Sequence, residues 1–230
     1  MNSLKQKAIS LIENRTIKTG MVLQVREWDQ SFVEADLYLP GAQMHLWLEA
    51  QHMKCKVAPF TYRDYTPAEW DADTNTCTLF IDTNHDGPGT RWARSLRRGD
   101  QVTYVGIGSA HHRPETGADI VCLGDESGMG HFLALRQLAG SVQSFTGAIA
   151  MHTAEQQHML ASLKTELNGI NRLRTECSRE LMAWVDAQDT PWHNTVFYLA
   201  GYSHTVSALR RALKAKGVSP RQIKAQGFWS

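Results

Sequence analysis

The chain has 230 residues, of which 42% are hydrophobic and 20% charged, a length for one large domain or two modest ones and an ordinary balance for a globular chain with a sizeable core. Lysine and arginine number 24 against 23 acidic residues, a net charge of +1, so the totals carry no electrostatic footprint for nucleic acid or an anionic membrane. Cys55, Cys77, Cys122 and Cys177 lie far apart with no C-x-x-C pair, which argues against a zinc ribbon, an iron–sulfur cluster or a redox dithiol and favours structural thiols in a reducing compartment.

In chain order, "MNSLKQKAISLIENRTIKTG" has charge on both sides of a very short apolar patch, so it lacks the apolar core of a secretory signal and reads as a short amphipathic helix. Nothing approaches the ~18 apolar residues of a membrane span, and a cytoplasmic chain is expected. Strands are expected over 21–25, 31–39, 44–48, 76–83 and 100–108. In the second of these Val33, Ala35, Leu37 and Leu39 alternate with Phe32, Glu34, Asp36 and Tyr38, the period of a strand with one buried face. The turn segments "PGAQ", "DADTN" and "RRGD" separate them, and only one helical stretch intervenes, a pattern that suggests a small antiparallel barrel.

"HHRPETGAD" reads as a linker, placing one domain over 1–112 and a second over 113–230. Beyond it the rhythm changes. "IVCLGDESGMGHFLALRQLAG" is an apolar run, a glycine turn and a helix; "SFTGAIAMHT" is a strand, and Thr153 with Gln156 can cap a helix carrying Leu160, Leu163 and Leu167. The stretch 168–194 is open between helix and strand. "TVFYLAGYSHTVSALRRALKAKGV" repeats strand, glycine turn and helix, with Val206, Leu209 and Leu213 on one face and Arg210, Arg211 and Lys214 on the other. Such alternation implies a parallel sheet covered by helices, with ligands beyond the carboxyl ends of its strands. Glycine turns at those ends suit phosphate on helix N-termini, or steric need alone.

Within the first domain "RDYTP" (63–67) is followed, after one strand, by "HDGPGTRWARSLRRGD". Arg63-x-Tyr65-Thr66 resembles the R-x-Y-[ST] motif of ferredoxin-reductase-like flavoproteins, and "GPGTRWA" resembles the turn that holds their flavin pyrophosphate. With "LGDES" (123–127) and the terminal "GFW" (227–229), the chain from about Gly20 onward resembles the siderophore-interacting protein family. That resemblance implies an antiparallel β-barrel FAD-binding domain followed by an α/β parallel-sheet NAD(P)H-binding domain. It implies FAD as cofactor, NAD(P)H as donor and a ferric siderophore as acceptor.

Carried over residue by residue, the resemblance puts FAD at Arg63, Tyr65, Thr66, Gly87, Gly89, Thr90 and Arg91, with His85 as a flavin or ribose contact or a turn histidine. Phe228 or Trp229 would cover the flavin, or anchor the last strand. The nicotinamide side would be lined by Gly124, Asp125, Glu126, Ser127, Gly201 and Tyr202, the two carboxylates serving as caps in the alternative reading. No catalytic side chain and no metal ligand is expected, since the flavin carries the chemistry. Residues two apart on a strand share a face, so Arg63 and Tyr65 can grip one ligand together, the guanidinium on phosphate and the phenol against the ring. Trp92 is read as packing its helix onto the barrel.

The family usually has Ala-Gly-Glu at the second α/β turn, where this chain has Ala200-Gly201-Tyr202; that bears on nicotinamide handling. Arg94, Arg97, Arg98, Lys54 and Lys56 are candidates for docking an anionic chelate, against a solvated face. Arg172 and Arg174 are candidates for a 2′-phosphate, against plain surface charge. A monomer is favoured, with the oligomeric state open. The competing functions are a reductase acting on free flavin, a quinone or another acceptor, and a module that binds flavin or siderophore without turnover.

Overall fold

The structure, a computed structural model, describes residues 17–141, 143–188 and 192–230. The amphipathic helix expected at the N-terminus falls mainly on residues outside these, and Lys18 already opens the first strand. Seven antiparallel strands come first: β1 (Lys18–Asp29), β2 (Phe32–Tyr38), β3 (Gln51–Ala58), β4 (Thr61–Tyr65), β5 (Pro67–Asp71), β6 (Thr76–Asp82) and β7 (Gln101–Ser109). They form one sheet in the order β4-β3-β7-β1-β2-β6-β5. Its two edge strands, β4 and β5, are joined through Thr66 alone, so the sheet curls round on itself as a barrel. Helix α1 (Pro88–Ser95) lies between β6 and β7, with Pro88 at its first position, where the missing N–H has no helical partner to lose.

The second sheet is parallel, in the order β10-β9-β8-β11-β12. Its strands are β8 (Asp119–Asp125), β9 (Phe145–Met151), β10 (Leu167–Asn171), β11 (Thr195–Tyr202) and β12 (Ile223–Trp229). Helices α2 (Met129–Ala139), α3 (Ala154–Ser162), α4 (Ser178–Asp186) and α5 (Ser203–Ala215) connect them. An antiparallel barrel followed by a parallel α/β sheet is the architecture expected from the sequence. One core fills the barrel around Leu37, Met53, Leu79 and Tyr104. Another joins barrel residues Trp28, Phe32 and Phe80 to Phe132 of α2 and Ile120 of β8, and a third lies under α4 and α5 around Leu181, Phe197 and Leu209.

Three local expectations change. Residues 44–46 form a 3-10 turn instead of a strand: Met44 and Trp47 are buried while Leu46 and Leu48 are exposed, a period of three instead of two. Glu34, expected to point outward, is buried at 4% exposure. Its carboxylate is satisfied there, accepting from Trp28 Nε1 at 2.7 Å and from Arg26. Leu167 is no helix residue: α3 ends at Ser162, Lys164 turns the chain with a φ of 51°, and Leu167 opens β10. The stretch 168–194 holds both element types, the rest of β10 and then α4. The capping by Thr153 is present, its Oγ1 accepting from Gln156 N at 3.2 Å and donating to Asp29 Oδ2 of β1 at 2.6 Å. The start of α3 is thereby tied to the barrel.

Candidate functional site

A cavity of about 200 Å³ opens where the barrel meets the carboxyl edge of the parallel sheet. Arg63, Tyr65 and Thr66 reach it from the end of β4, and Gly89 and Thr90 from the start of α1. The two groups are in close contact. A Cβ placed on Gly89 would lie 2.8 Å from Tyr65 Oη and 3.3 Å from Arg63 Cγ, so a larger residue here would displace both of these side chains. Trp92, one turn further along α1, stacks on the Tyr65 ring with centroids 5.5 Å apart, and packs the helix onto the barrel core. Arg63 is exposed, its Nη1 donating to the Tyr62 carbonyl at 2.8 Å.

The opposite wall comes from the α/β part. Ser127, Gly130 and His131 follow β8, and Phe228 and Trp229 end β12. Trp229 is held on several sides. Its Nε1 donates to Ser127 Oγ at 3.0 Å, Tyr202 lies 4.4 Å away and His85 5.9 Å away, nearly parallel. The Arg172 guanidinium sits 5.9 Å from its ring. Tyr202 in turn stacks on His204, which makes a column of four rings across the top of the sheet.

Beneath that column is a buried cluster of ionisable side chains. Glu126 is fully buried, with Arg172 Nη1 at 2.7 Å and His152 Nε2 at 3.0 Å from its Oε1. Burial pushes its carboxyl up to about 8, helped by the neighbouring Asp82 and Asp125 charges and opposed by Arg172. Asp125 is also fully buried. It caps the turn after β8, accepting from Ser127 N at 3.0 Å, and accepts from Tyr202 N at 2.7 Å across the sheet. Gly201 has a φ of +124°, and a Cβ there would stand 2.5 Å from Asp125 Oδ1, so this turn requires glycine.

Of the residues singled out in the sequence, Arg63, Tyr65, Thr66, His85, Gly89, Thr90, Ser127, Phe228 and Trp229 line this one cavity. Gly87 caps α1 from outside it, and Arg91 turns away to pair with Asp86 at 2.5 Å. Gly124, Asp125, Glu126, Gly201 and Tyr202 lie below or beside the cavity as its support. Arg172 is neither a 2′-phosphate reader nor surface charge, being 8% exposed and bonded to Glu126 and to the Thr175 carbonyl. Arg94 is spent on the carbonyls of Gln30 and Thr83, and Lys54 pairs with Asp64. Sequence reasoning missed His52, Asp82 and His131, which also line the cavity. Asp82 is buried, which pushes its carboxyl up.

The cavity suits a flavin dinucleotide on its own chemistry. Thr90 Oγ1 is buried at the start of α1 without a partner, beside helix N–H groups that favour an anion, and Tyr65 and Trp229 offer flat faces. Fold and cavity together define a flavin-binding protein built from an antiparallel barrel and a parallel α/β sheet.

Comparison with known proteins is more specific. Residues 33–111 match the siderophore-interacting FAD-binding domain and residues 118–230 the siderophore-interacting protein model; the chain belongs to the siderophore-interacting protein family. Its fold is similar to the siderophore-interacting protein of A. baumannii, with 15% identity and a TM-score of 0.76 over 93% of this chain and 90% of that one. A siderophore utilization protein from T. fusca gives 21% identity and a TM-score of 0.69 over 93% and 92%. The ferredoxin reductase of carbazole 1,9a-dioxygenase gives 17% and 0.75 over 93% and 69%. No curated protein matches the chain. No helix among the described residues is long and apolar enough to cross a membrane.

Proposed function

We propose that the chain reduces ferric siderophores in the cytoplasm, with NAD(P)H as the electron donor and FAD as the bound cofactor. The observation that carries this reading is the meeting of Arg63, Tyr65, Gly89 and Thr90 at one wall of a cavity whose other wall is the chain's C-terminal aromatic pair. The flavin, when bound, supplies the conversion of a two-electron donor into one-electron steps. The remaining work is done by side chains. Arg63 and Thr90 Oγ1 would hold the diphosphate, the guanidinium by charge-assisted hydrogen bonds and the hydroxyl as a presently unpartnered donor. Tyr65 offers its ring as a bed, kept in place from behind by Trp92. Thr66, at the break between β4 and β5, would present its polar groups to the reacting edge. Phe228 and Trp229 would shield that edge from water, and a nicotinamide would enter beside Ser127. Iron leaves its chelate because Fe(II), the less charged ion, is held more weakly by hard oxygen donors.

Four buried, unpaired thiols agree with a reducing compartment. The test is the visible spectrum of the purified protein with FAD, before and after NADH or NADPH under anaerobic conditions, then after a ferric siderophore. Bleaching by a nicotinamide and recovery on adding the chelate, with Fe(II) trapped by a colorimetric ligand, is the expected result. A protein that takes up no FAD loses the reading altogether. One that bleaches but recovers only with a quinone or free flavin is a reductase for another acceptor, and one that never bleaches is a binding module.

A further inference from the structure

His131 has no part in that scheme, yet it lines the same cavity beside Thr66, Gly130 and Phe228. It stands in the first turn of α2 and is 1% exposed. Its Nε2 lies 2.9 Å from His112 Nδ1, in the segment between β7 and β8. Two imidazole nitrogens at that distance share one hydrogen, so one of them is N–H and the other bare. The second ring nitrogen of His131, Nδ1, is buried and has no partner among the described residues. Leaving a buried polar atom unpaired is costly, and native interiors rarely do so without a ligand, water or functional reason.

The surroundings keep the pair uncharged. Phe132 and Phe228 meet the His131 ring edge-on at 6.3 and 5.8 Å, and Tyr198 meets His112 at 5.8 Å. Burial lowers His112 to about 4, assisted by the positive Lys224 and by His111, and lowers His131 to about 3, assisted by His112. Each ring therefore carries one hydrogen at neutral pH, and His131 Nδ1 is left as a single open hydrogen-bonding position.

We propose that His131 Nδ1 is a hydrogen-bonding contact for the polar edge of the flavin ring, and that His112 is the positioning residue that sets which His131 nitrogen carries the hydrogen. This rests on the flavin reading above.

The test uses the full chain labelled with ¹⁵N-histidine and titrated with FAD. The His131 Nδ1 resonance is expected to move on loading, and His112→Phe to give His131 a mixed tautomer. His131→Phe should weaken FAD binding about tenfold, with His131→Asn, which restores an amide, recovering most of it. The midpoint potential of bound FAD should differ between wild type and His131→Phe by about 30 mV or more, equal to a tenfold change in the relative affinity of the two oxidation states. FAD that binds without moving the His131 resonance overturns the proposal, as does a His131→Phe protein with unchanged affinity and potential. If His131→Phe does not fold, the wild-type resonance decides. Wild-type protein that takes up no FAD removes the flavin reading, a different outcome from FAD bound without a response at His131.

Discussion

Tyr65 Oη rests against Gly89, so closely that a Cβ on the glycine would stand 2.8 Å from it and 3.3 Å from Arg63 Cγ. Strand end and helix start are thus fitted to one another, and a methyl group there would push both side chains into the cavity. Gly89→Ala is expected to lower FAD occupancy sharply while changing stability little, since the atoms displaced belong to side chains and not to backbone. FAD affinity and urea denaturation of the same variant check it; a variant that binds FAD normally would dissociate this contact from the flavin.

With Arg63 holding the diphosphate as proposed, Arg63→Ala should weaken FAD binding by about 1.5–3 kcal/mol. Because Arg63 is exposed and its Nη1 donates to the carbonyl of its own neighbour Tyr62, the fold should not suffer. Isothermal titration of the apoprotein with FAD reads the difference. Unchanged affinity would take Arg63 out of the site.

Gly124 is held to glycine by the packing of its strand. A Cβ there would stand 1.9 Å from the Ala200 carbonyl oxygen and 2.9 Å from Phe132 Cζ. The first obstacle is backbone of the neighbouring strand, which cannot swing aside. Gly124→Ala should therefore cost about 1–3 kcal/mol or more of stability, as overpacking does, by prising β8 from β11. Equilibrium denaturation measures it, and an unaltered midpoint would mean that the sheet relaxes without cost.

The fold class was legible because its signals are local. Alternation marks β2, and glycine turns before amphipathic helices mark the ends of β8 and β11. The motif residues Arg63 and Tyr65 sit two positions apart on β4, so their common direction follows from strand geometry. What could not be read is what the tertiary structure alone brings together. His85, Tyr202 and Trp229 meet across three distant segments, and Glu126 and Arg172 meet at the carboxyl ends of different strands. His131 lies among apolar helix residues, where a histidine looks like any satisfied core residue. Residues 44–48 misled because two buried residues three apart imitate an alternating pattern when the run is only five long.

Glu126 gives the chain a pH signature. In the folded protein it keeps its proton up to about 8, against 4.5 for its ordinary value, so the unfolded state releases the proton first. Its contribution to stability is whole below about 4.5 and is lost as pH rises through about 8. Glu126→Gln cannot ionise and should flatten that decline, whatever it does to stability at a single pH by altering the partner of Arg172. Urea denaturation between about pH 5 and pH 9 gives the slope. A variant with the slope of the wild type would show that the Arg172 pair keeps Glu126 ionised throughout.

Trp229 is the residue on which donor access should turn. It is held by Tyr202 at 4.4 Å, by Ser127 Oγ at 3.0 Å and by the Arg172 guanidinium at 5.9 Å. Tyr202→Glu, which puts back the carboxylate that the family usually has, removes the ring contact and an aromatic pair worth about 0.5–1.5 kcal/mol. That loss raises the population with Trp229 displaced by up to about tenfold. NADP⁺ should then bind the apoprotein more tightly, and NAD(P)H should bleach the bound flavin faster, with removal of Phe228 to Ser230 going further in the same direction. The truncation also shortens β12, whose Trp229 pairs with Tyr202, but an edge strand losing its last residues should affect stability less than reactivity. Calorimetric binding, anaerobic stopped-flow and thermal melting, made on the same two proteins, separate the cases. Bleaching unchanged while melting falls would make the C-terminal aromatics an anchor for the last strand and not a cover for the flavin.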